Sequence, residues 1–433
     1  MIRLTRFFTR LCEAYLPDAF MFCLVLTLVV FSAAALLTPH SPLQLVDFWG
    51  KDFWSLNAFA MQMVFVLISG HMLASTPLVH SFLKLIVKPV KSETQGLLVL
   101  SFFSLVFCWL NWGFGLIVSG ILAIKLAQKL TRVSFGLFIA TAYSGFLVWH
   151  GGLSGSIPLK IAGGDEILKK VFPDLQIPIS ETIFSSWNLL IIALLLLTLP
   201  LLAVLMNGGE KMQIPEEKTD EVNEEIVTTF AQKIESAKSF NIIFFLFFAV
   251  IFVQGFLRGD SLDINRVNMV FLFLAFLLHG TPKKFIGSLN HSFGFASSIV
   301  IQFPFYAGLM GLMQYSGLAD LISQVFVNIS TERTLPLWTF LSGGIVNFFV
   351  PSGGGQWVVQ GPIMLKAARD LAVDPAKISM ALAWGDAWTN LIQPFWALPL
   401  LGMAGLKLKD IMGHCIVYLV WSGLIISAVL FWF

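Results

Sequence analysis

Asn111-Trp112-Gly113-Phe114-Gly115 sits in the middle of an apolar run, Leu97–Leu130. A membrane crossing takes about 20 apolar residues, so this run is too long for one span and too polar at its centre. A second run, Leu335–Leu371, is broken in the same way by Pro351-Ser352-Gly353-Gly354-Gly355. Each interruption leaves two pieces of about 15 residues, which as helix cover about 22 Å. That falls short of the roughly 30 Å hydrocarbon core. Two short apolar pieces around a polar, glycine-rich tip predict a re-entrant helical hairpin that turns back inside the membrane. The rival reading is a pair of glycine-kinked helices. Pro351 followed by three glycines disfavours a continuous helix, because proline removes a donor and glycine has low helical propensity.

Composition agrees. Of the 433 residues, 57% are hydrophobic and 12% charged, against about 25% charged in soluble domains. A surface so poor in charge faces lipid. The net charge of +2 gives no argument for a nucleic-acid partner. Cys12, Cys23, Cys108 and Cys415 form no CxxC pair, which disfavours a metal site or a disulfide framework. The run Ala19–Leu37, preceded by Arg3, Arg6 and Arg10, is long enough to span and reads as an uncleaved first helix with a cytoplasmic N-terminus. Further spans are expected near Leu56–Ser75, Gly136–Leu159, Trp187–Met206, Phe240–Leu257, Val267–Leu278, Ser292–Met313, Ile378–Leu400 and Ile411–Phe433.

Shifting the chain by 241 residues lays Val118–Leu159 over Val359–Leu400 with nine identities, among them Gly120 with Gly361, Lys125 with Lys366, and Pro158-Leu159 with Pro399-Leu400. The shift pairs hairpin with hairpin and the following helix with the following helix. Repeats with broken segments at matching positions point to a transporter and its binding site. Counting crossings from a cytoplasmic N-terminus makes the repeats inverted, with lysine and arginine in modest excess on the cytoplasmic side. The fold expected is an all-α polytopic membrane protein. Residues 1–206 form an N-terminal repeat, 207–239 an acidic cytoplasmic linker, and 240–433 a C-terminal inverted repeat. Each repeat holds a re-entrant hairpin and a broken transmembrane helix. The chain is expected in the cell (inner) membrane.

Irregular backbone survives at membrane depth only where protein buries it or a polar cavity receives it. Asn111, Trp112, Gly113 and Gly115 at one tip are therefore substrate-binding candidates. So are Ser352, Gly353, Gly354, Gly355, Gln356 and Trp357 at the other. Glycine lets a ligand reach the main chain, and a helix beginning near Gln356 would turn its N–H groups to an anion. The helices that follow are interrupted at Trp149–Pro158 and Gly385–Pro394, which adds Ser154, Ser156, Asn390 and Gln393. Hydrogen bonding between packed helices is the competing role for these four. Asp386 is an acid deep in a span, where insertion costs about 2.5–3.5 kcal/mol. With Thr389 and His150 it is a candidate for the coupling ion, Na⁺ or H⁺. No other cofactor is expected. Trp112, Phe114, Trp357, Trp388 and Trp396 are candidates for the apolar wall, and Lys125 and Lys366 for snorkelling near helix ends.

Several long runs resemble the AtoE-type short-chain fatty acid transporter family. They are Leu16-Pro17-Asp18, Phe53-Trp54, Met61-Gln62-Met63, Asn111–Leu116, Gly152-x-Ser154-Gly155-Ser156-x-Pro158-Leu159, Gln302–Gly308, Val350–Gly355, Gln360-Gly361-Pro362 and Gln393–Pro399. The resemblance covers essentially the whole chain. It implies a short-chain monocarboxylate substrate such as acetoacetate or butyrate, membership of the wider ion-transporter superfamily, an elevator-like motion and a homodimer. At Gly385-Asp386-Ala387-Trp388 the chain departs from the family's pattern, where Glu-Gln is more familiar than Asp-Ala. Symport has an energetic reason, since moving one negative charge inward costs about 2.3 kcal/mol per roughly 100 mV of inside-negative potential. One alternative is a dicarboxylate or other organic-anion carrier of the same superfamily. Another is a membrane-embedded enzyme, but no HExxH or GxSxG lies in a membrane segment.

Overall fold

The computed structural model describes residues 2–15, 17, 19–130, 133–208, 229–259, 264–293, 297–350 and 353–433. Among them all regular structure is helical. Six helices are long and apolar enough to cross a membrane: Phe20–Leu37, Glu93–Leu110, Trp112–Leu130, Ser186–Met206, Lys238–Leu257 and Leu408–Trp432. Large apolar side chains such as Leu36, Leu197, Phe247, Phe256 and Leu424 lie exposed along them, as a lipid-facing surface requires.

The 241-residue offset extends far beyond the window that suggested it. Pro77–Val87 and Leu318–Asn328 lie 241 residues apart at both ends, and Trp112–Leu130 and Gly353–Asp370 begin 241 apart. Asn57–Ala74 and Ser297–Tyr315 end that distance apart, as do Pro42–Asp52 and Pro282–Phe293. Short amphipathic helices are part of each copy, and a search for spanning runs passes over them. Their starts are encoded locally. Pro42 and Pro77 occupy the first turn, where no N–H is needed, and Ser41 closes a capping box with Gln44.

Both hairpins are present, but the turns are tighter than the sequence suggests. Glu93–Leu110 and Trp112–Leu130 are separated by Asn111 alone, in extended conformation. The Asn111 carbonyl accepts from the Gly115 N–H at 2.8 Å, and its side-chain Oδ1 from the Phe114 N–H at 2.9 Å. One asparagine thus ends one helix and caps the next. Trp112, Gly113 and Gly115, expected in an irregular tip, are instead helical. The reason Gly115 is glycine is contact, since a Cβ there would overlap the backbone of Phe107 and Cys108 on the opposing arm. The arms hold 18 and 19 residues, longer than the expected half-spans.

The second hairpin runs from Leu335–Asn347 into Gly353–Asp370. Gln356 Nε2 donates to the Gly343 carbonyl at 2.6 Å, and Thr339 faces Met364 Sδ at 3.6 Å, so the arms lie antiparallel. Gly353, Gly354 and Gly355 also begin a helix rather than form a loop. Pro351 and Ser352 lie outside the described residues, as do residues 209–228 of the acidic stretch.

The helices after the hairpins are broken. The first runs Phe135–Ser144, a 3₁₀ turn Gly145–Val148, irregular backbone to Gly155, then Ser156–Ala162. The second runs Pro375–Thr389, a 3₁₀ turn Asn390–Ile392, extended Gln393, then Pro394–Ala404. The second break is shorter and begins later than expected, because Gly385–Thr389 stay helical. Each hairpin's first arm packs closely on its own broken helix. A Cβ at Gly145 would lie 2.5 Å from the Ser104 carbonyl, and one at Gly385 would overlap the Phe340 carbonyl oxygen.

Candidate functional site

The two hairpin turns and the two breaks meet, and they do so crosswise. Trp112, at the first turn, packs on Trp396 beyond the second break, with ring centroids 5.5 Å apart. Gly353, at the second turn, lies against His150 and Ser156 of the first break, where a Cβ would come within 2.5 Å of the imidazole. The Tyr143 hydroxyl of the first broken helix donates to the Asn390 carbonyl in the second break at 2.5 Å.

Around the second break lies a fully buried polar cluster. Asp386, Asn390, Asn347 and Gln356 are each 0% exposed. Asn347 Nδ2 donates to the Asp386 carbonyl at 2.8 Å, Thr389 Oγ1 at 3.0 Å and Asn390 Oδ1 at 2.7 Å. Asn390 Nδ2 in turn donates to Asp386 Oδ1 at 3.2 Å. The Thr389 hydroxyl donates to the Gly344 carbonyl at 2.9 Å. Among the described residues, Asp386 Oδ2, Asn347 Oδ1 and Gln356 Oε1 are buried with no hydrogen-bonding partner. Such acceptors are costly to leave unpaired. A cluster of them beside a carboxylate can hold a cation.

His150 links this cluster to the first break. Its Nδ1 lies 2.9 Å from the Ala383 carbonyl, which can only accept, so Nδ1 carries the proton. Nε2 lies 3.1 Å from the Ser156 hydroxyl, from which the neutral ring accepts, and 4.0 Å from Asp386 Oδ1. Ser154 has a different task, since its Oγ accepts the Trp112 N–H at 2.9 Å and so closes one of the donors at the first turn. Among the described residues, a Cβ at Gly354 would meet nothing within 4 Å, unlike one at Gly353. Both belong to the first turn of the 18-residue helix Gly353–Asp370, and a helix N-terminal end is a favourable position for a carboxylate.

The aromatic candidates divide. Trp112 and Trp396 form one cluster with Phe146 and Trp149, with Phe146 and Trp149 stacked at 5.5 Å. Trp357 is fully buried on the second hairpin's inner helix. Phe114 turns away to Phe107 and Phe271. Trp388 is held against the C-terminal helix by its bond to the Leu419 carbonyl at 2.7 Å. Gln393 is buried and extended between the halves of its helix.

Sequence reasoning passed over Asn347, Tyr143, Trp149 and Asn188. Asn347 carried a signal, as an asparagine one turn ahead of Pro351 in an otherwise apolar run. Asn188 had none, because Gly151 and Trp384, which it joins, are distant in the chain. Its Nδ2 donates to the carbonyls of Gly151 and Ile183 at 3.1 and 2.7 Å, and its Oδ1 accepts from Trp384 Nε1 at 2.8 Å.

Known proteins are similar to this chain over most of its length. Two bacterial proteins, each named "Putative short-chain fatty acid transporter", are similar over almost their full length. The one from Escherichia coli strain K12 is 38% identical over 98% of both chains, and the one from Haemophilus influenzae 38% identical over 97% of both. Among solved structures, the Alcanivorax borkumensis YdaH transporter aligns over 96% of this chain and 98% of its own at 16% identity and a TM-score of 0.46. Neisseria gonorrhoeae MtrF aligns over 98% of this chain and 97% of its own at 14% identity and 0.42. The family model described as short chain fatty acid transporter matches residues 1–433, and with two relatives at this identity the chain belongs to the short-chain fatty acid transporter family.

Proposed function

We propose that this transporter carries short-chain monocarboxylates of the acetoacetate and butyrate type into the cell, in symport with a cation, by an elevator-like motion in the inner membrane. The observation that carries this reading is the buried cluster of Asp386, Asn347 and Asn390 at the meeting of hairpin turns and helix breaks, with Asp386 Oδ2 lacking a partner. Among the described residues no lysine or arginine pairs with Asp386, and the ionisable group that stands close to it is His150, at 4.0 Å. That favours a single cation-balanced carboxylate over a dicarboxylate. The N-terminal end of the helix Gly353–Asp370, at Gly354, receives the carboxylate, and Trp112, Trp149 and Trp396 face the short acyl tail.

The test is uptake of radiolabelled butyrate and acetoacetate by proteoliposomes, with Na⁺ and pH gradients imposed independently. Accumulation driven by one of the gradients is expected, with weak competition by succinate. Uptake indifferent to both gradients overturns symport, and succinate competing as well as butyrate overturns the monocarboxylate assignment.

A further inference from the structure

The repeat gives the chain two hairpin-and-break units, and by symmetry each would take a coupling ion. Their polar groups are arranged very differently. In the first unit the irregular backbone is bonded by the protein itself. The Gly151 carbonyl accepts from Trp109 Nε1 at 3.0 Å and from Asn188 Nδ2 at 3.1 Å, and the Trp109 carbonyl from the Leu153 N–H at 2.8 Å. Ser154 Oγ takes the Trp112 N–H, and Asn111 Oδ1 takes that of Phe114. Among the described residues there, the buried side-chain atoms left over are the Ser101 and Ser119 hydroxyls and Trp149 Nε1. All three bring their own proton. No aspartate or glutamate occurs between Leu97 and Leu159.

In the second unit the leftover atoms on the hairpin and the break include three pure acceptors: Asp386 Oδ2, Asn347 Oδ1 and Gln356 Oε1. The amide orientations are set by their other ends. Asn347 Nδ2 has three acceptors around it, and Gln356 Nε2 donates to the Gly343 carbonyl and to Gln360 Oε1 at 2.7 Å. The backbone joins these groups, since a Cβ at Gly385 would sit 3.0 Å from Gly343 Cα. At the 241-residue offset, the mates of Asn347, Gln356 and Asp386 are Val106, Gly115 and Gly145. Each acceptor in one repeat faces a residue without a polar side chain in the other. A proton would satisfy Asp386 Oδ2 and leave the two amide oxygens unpaired. A hard monovalent cation takes carboxylate and amide oxygens alike as ligands.

We propose that the second unit alone binds a coupling ion, that this ion is Na⁺, and that one Na⁺ accompanies each monocarboxylate, so that the cycle moves no net charge. The first unit is a strut, held by Asn188 and Ser154. This inference rests on the transport reading above, and Na⁺ binding tests it without any substrate. Na⁺, but not K⁺, raises the melting temperature of the detergent-purified full-length chain, with a binding curve of Hill coefficient about one. Asn347→Ala, and separately Gln356→Ala, weaken that Na⁺ response by about tenfold or more. Ser154→Ala leaves the Na⁺ affinity within about twofold, whatever it does to stability. In vesicles, butyrate uptake follows the Na⁺ gradient and is unchanged when valinomycin and K⁺ set an inside-negative potential. Absence of a Na⁺ effect on melting overturns the proposal. So does a Hill coefficient near two with potential-driven uptake, or an equal loss of Na⁺ affinity in Ser154→Ala and Asn347→Ala. Na⁺ binding without butyrate uptake keeps the ion site and strikes only the substrate.

Discussion

Gly354 and Gly385 are both glycines of the second repeat, yet the space around them is opposite. A methyl group at Gly354 would meet no atom within 4 Å, whereas at Gly385 it would run into the Phe340 carbonyl and lie 2.9 Å from the Gly344 nitrogen. Gly385→Ala must therefore push the first hairpin arm off the broken helix, an overpacking cost of about 1–3 kcal/mol. The expected outcome is a lower melting temperature and a smaller monodisperse peak in detergent. Gly354→Ala is expected to melt no lower than wild type, because alanine favours helix over glycine by about 1 kcal/mol. It should instead raise the KM for butyrate severalfold by obstructing approach to the helix end, which initial uptake rates will measure. At this scale the sequence was partly legible. Asp386 announced itself as an acid within a span. The glycine runs were read as loops, but Gly113, Gly115 and Gly353–Gly355 are helical. Close contact with a neighbouring backbone, as at Gly115, outweighs glycine's poor propensity, and such contact has no local signature. Asn347 takes its importance from partners some 40 residues away, where short-range pattern has no reach.

At the scale of elements, the hairpins and broken helices were foreseeable because polar, glycine-rich stretches interrupt long apolar runs, although the first hairpin's arms of 18 and 19 residues are longer than the half-spans that the membrane thickness suggested. The amphipathic helices Pro42–Asp52, Pro77–Val87, Pro282–Phe293 and Leu318–Asn328 were missed because they are too short to register as spans. What holds a broken element in place is a further matter. From Trp149 to Gly155 the first break keeps only separate i→i−3 turns, and Asn188 on Ser186–Met206 adds a tie between the Gly151 carbonyl and Trp384. Asn188→Ala removes these bonds and leaves the Trp384 indole N–H, inside a residue 0% exposed, without its acceptor. The expected loss is about 1–3 kcal/mol, read as a drop in melting temperature. Asn188→Asp keeps the acceptor for Trp384 but sets a carboxylate oxygen against the Gly151 and Ile183 carbonyls. It should be at least as destabilising. A variant as stable as wild type in both cases would mean that the break is held by its glycine contacts alone, such as Gly152 against the Trp109 carbonyl.

At the scale of the whole molecule, the repeat leaves one consequence that can be tested from either face of the membrane. Lys91 and Glu332 are exposed, 241 residues apart, just ahead of the first arms of the two hairpins. Between them a hairpin returns the chain to the side it entered from, so hairpins do not change sides. With the broken helix 135–162 and the helices Ser186–Met206, Lys238–Leu257, Ile264–His279 and Ser297–Tyr315 taken as crossings, their number is odd. Lys91 and Glu332 must then face opposite compartments, with Lys91 inside when the N-terminus is cytoplasmic. All four native cysteines are buried, so single cysteines can be placed at either site with little background. Glu332→Cys is expected to react with a membrane-impermeant maleimide in intact spheroplasts, and Lys91→Cys only after permeabilisation. Labelling of both from the same face would remove one crossing and make the repeats parallel. The crosswise contacts of Trp112 with Trp396 and of Gly353 with His150 would then join two turns that enter from the same side. In that arrangement neither turn could close one face while the other opened, and alternating access would need a moving part other than the hairpins.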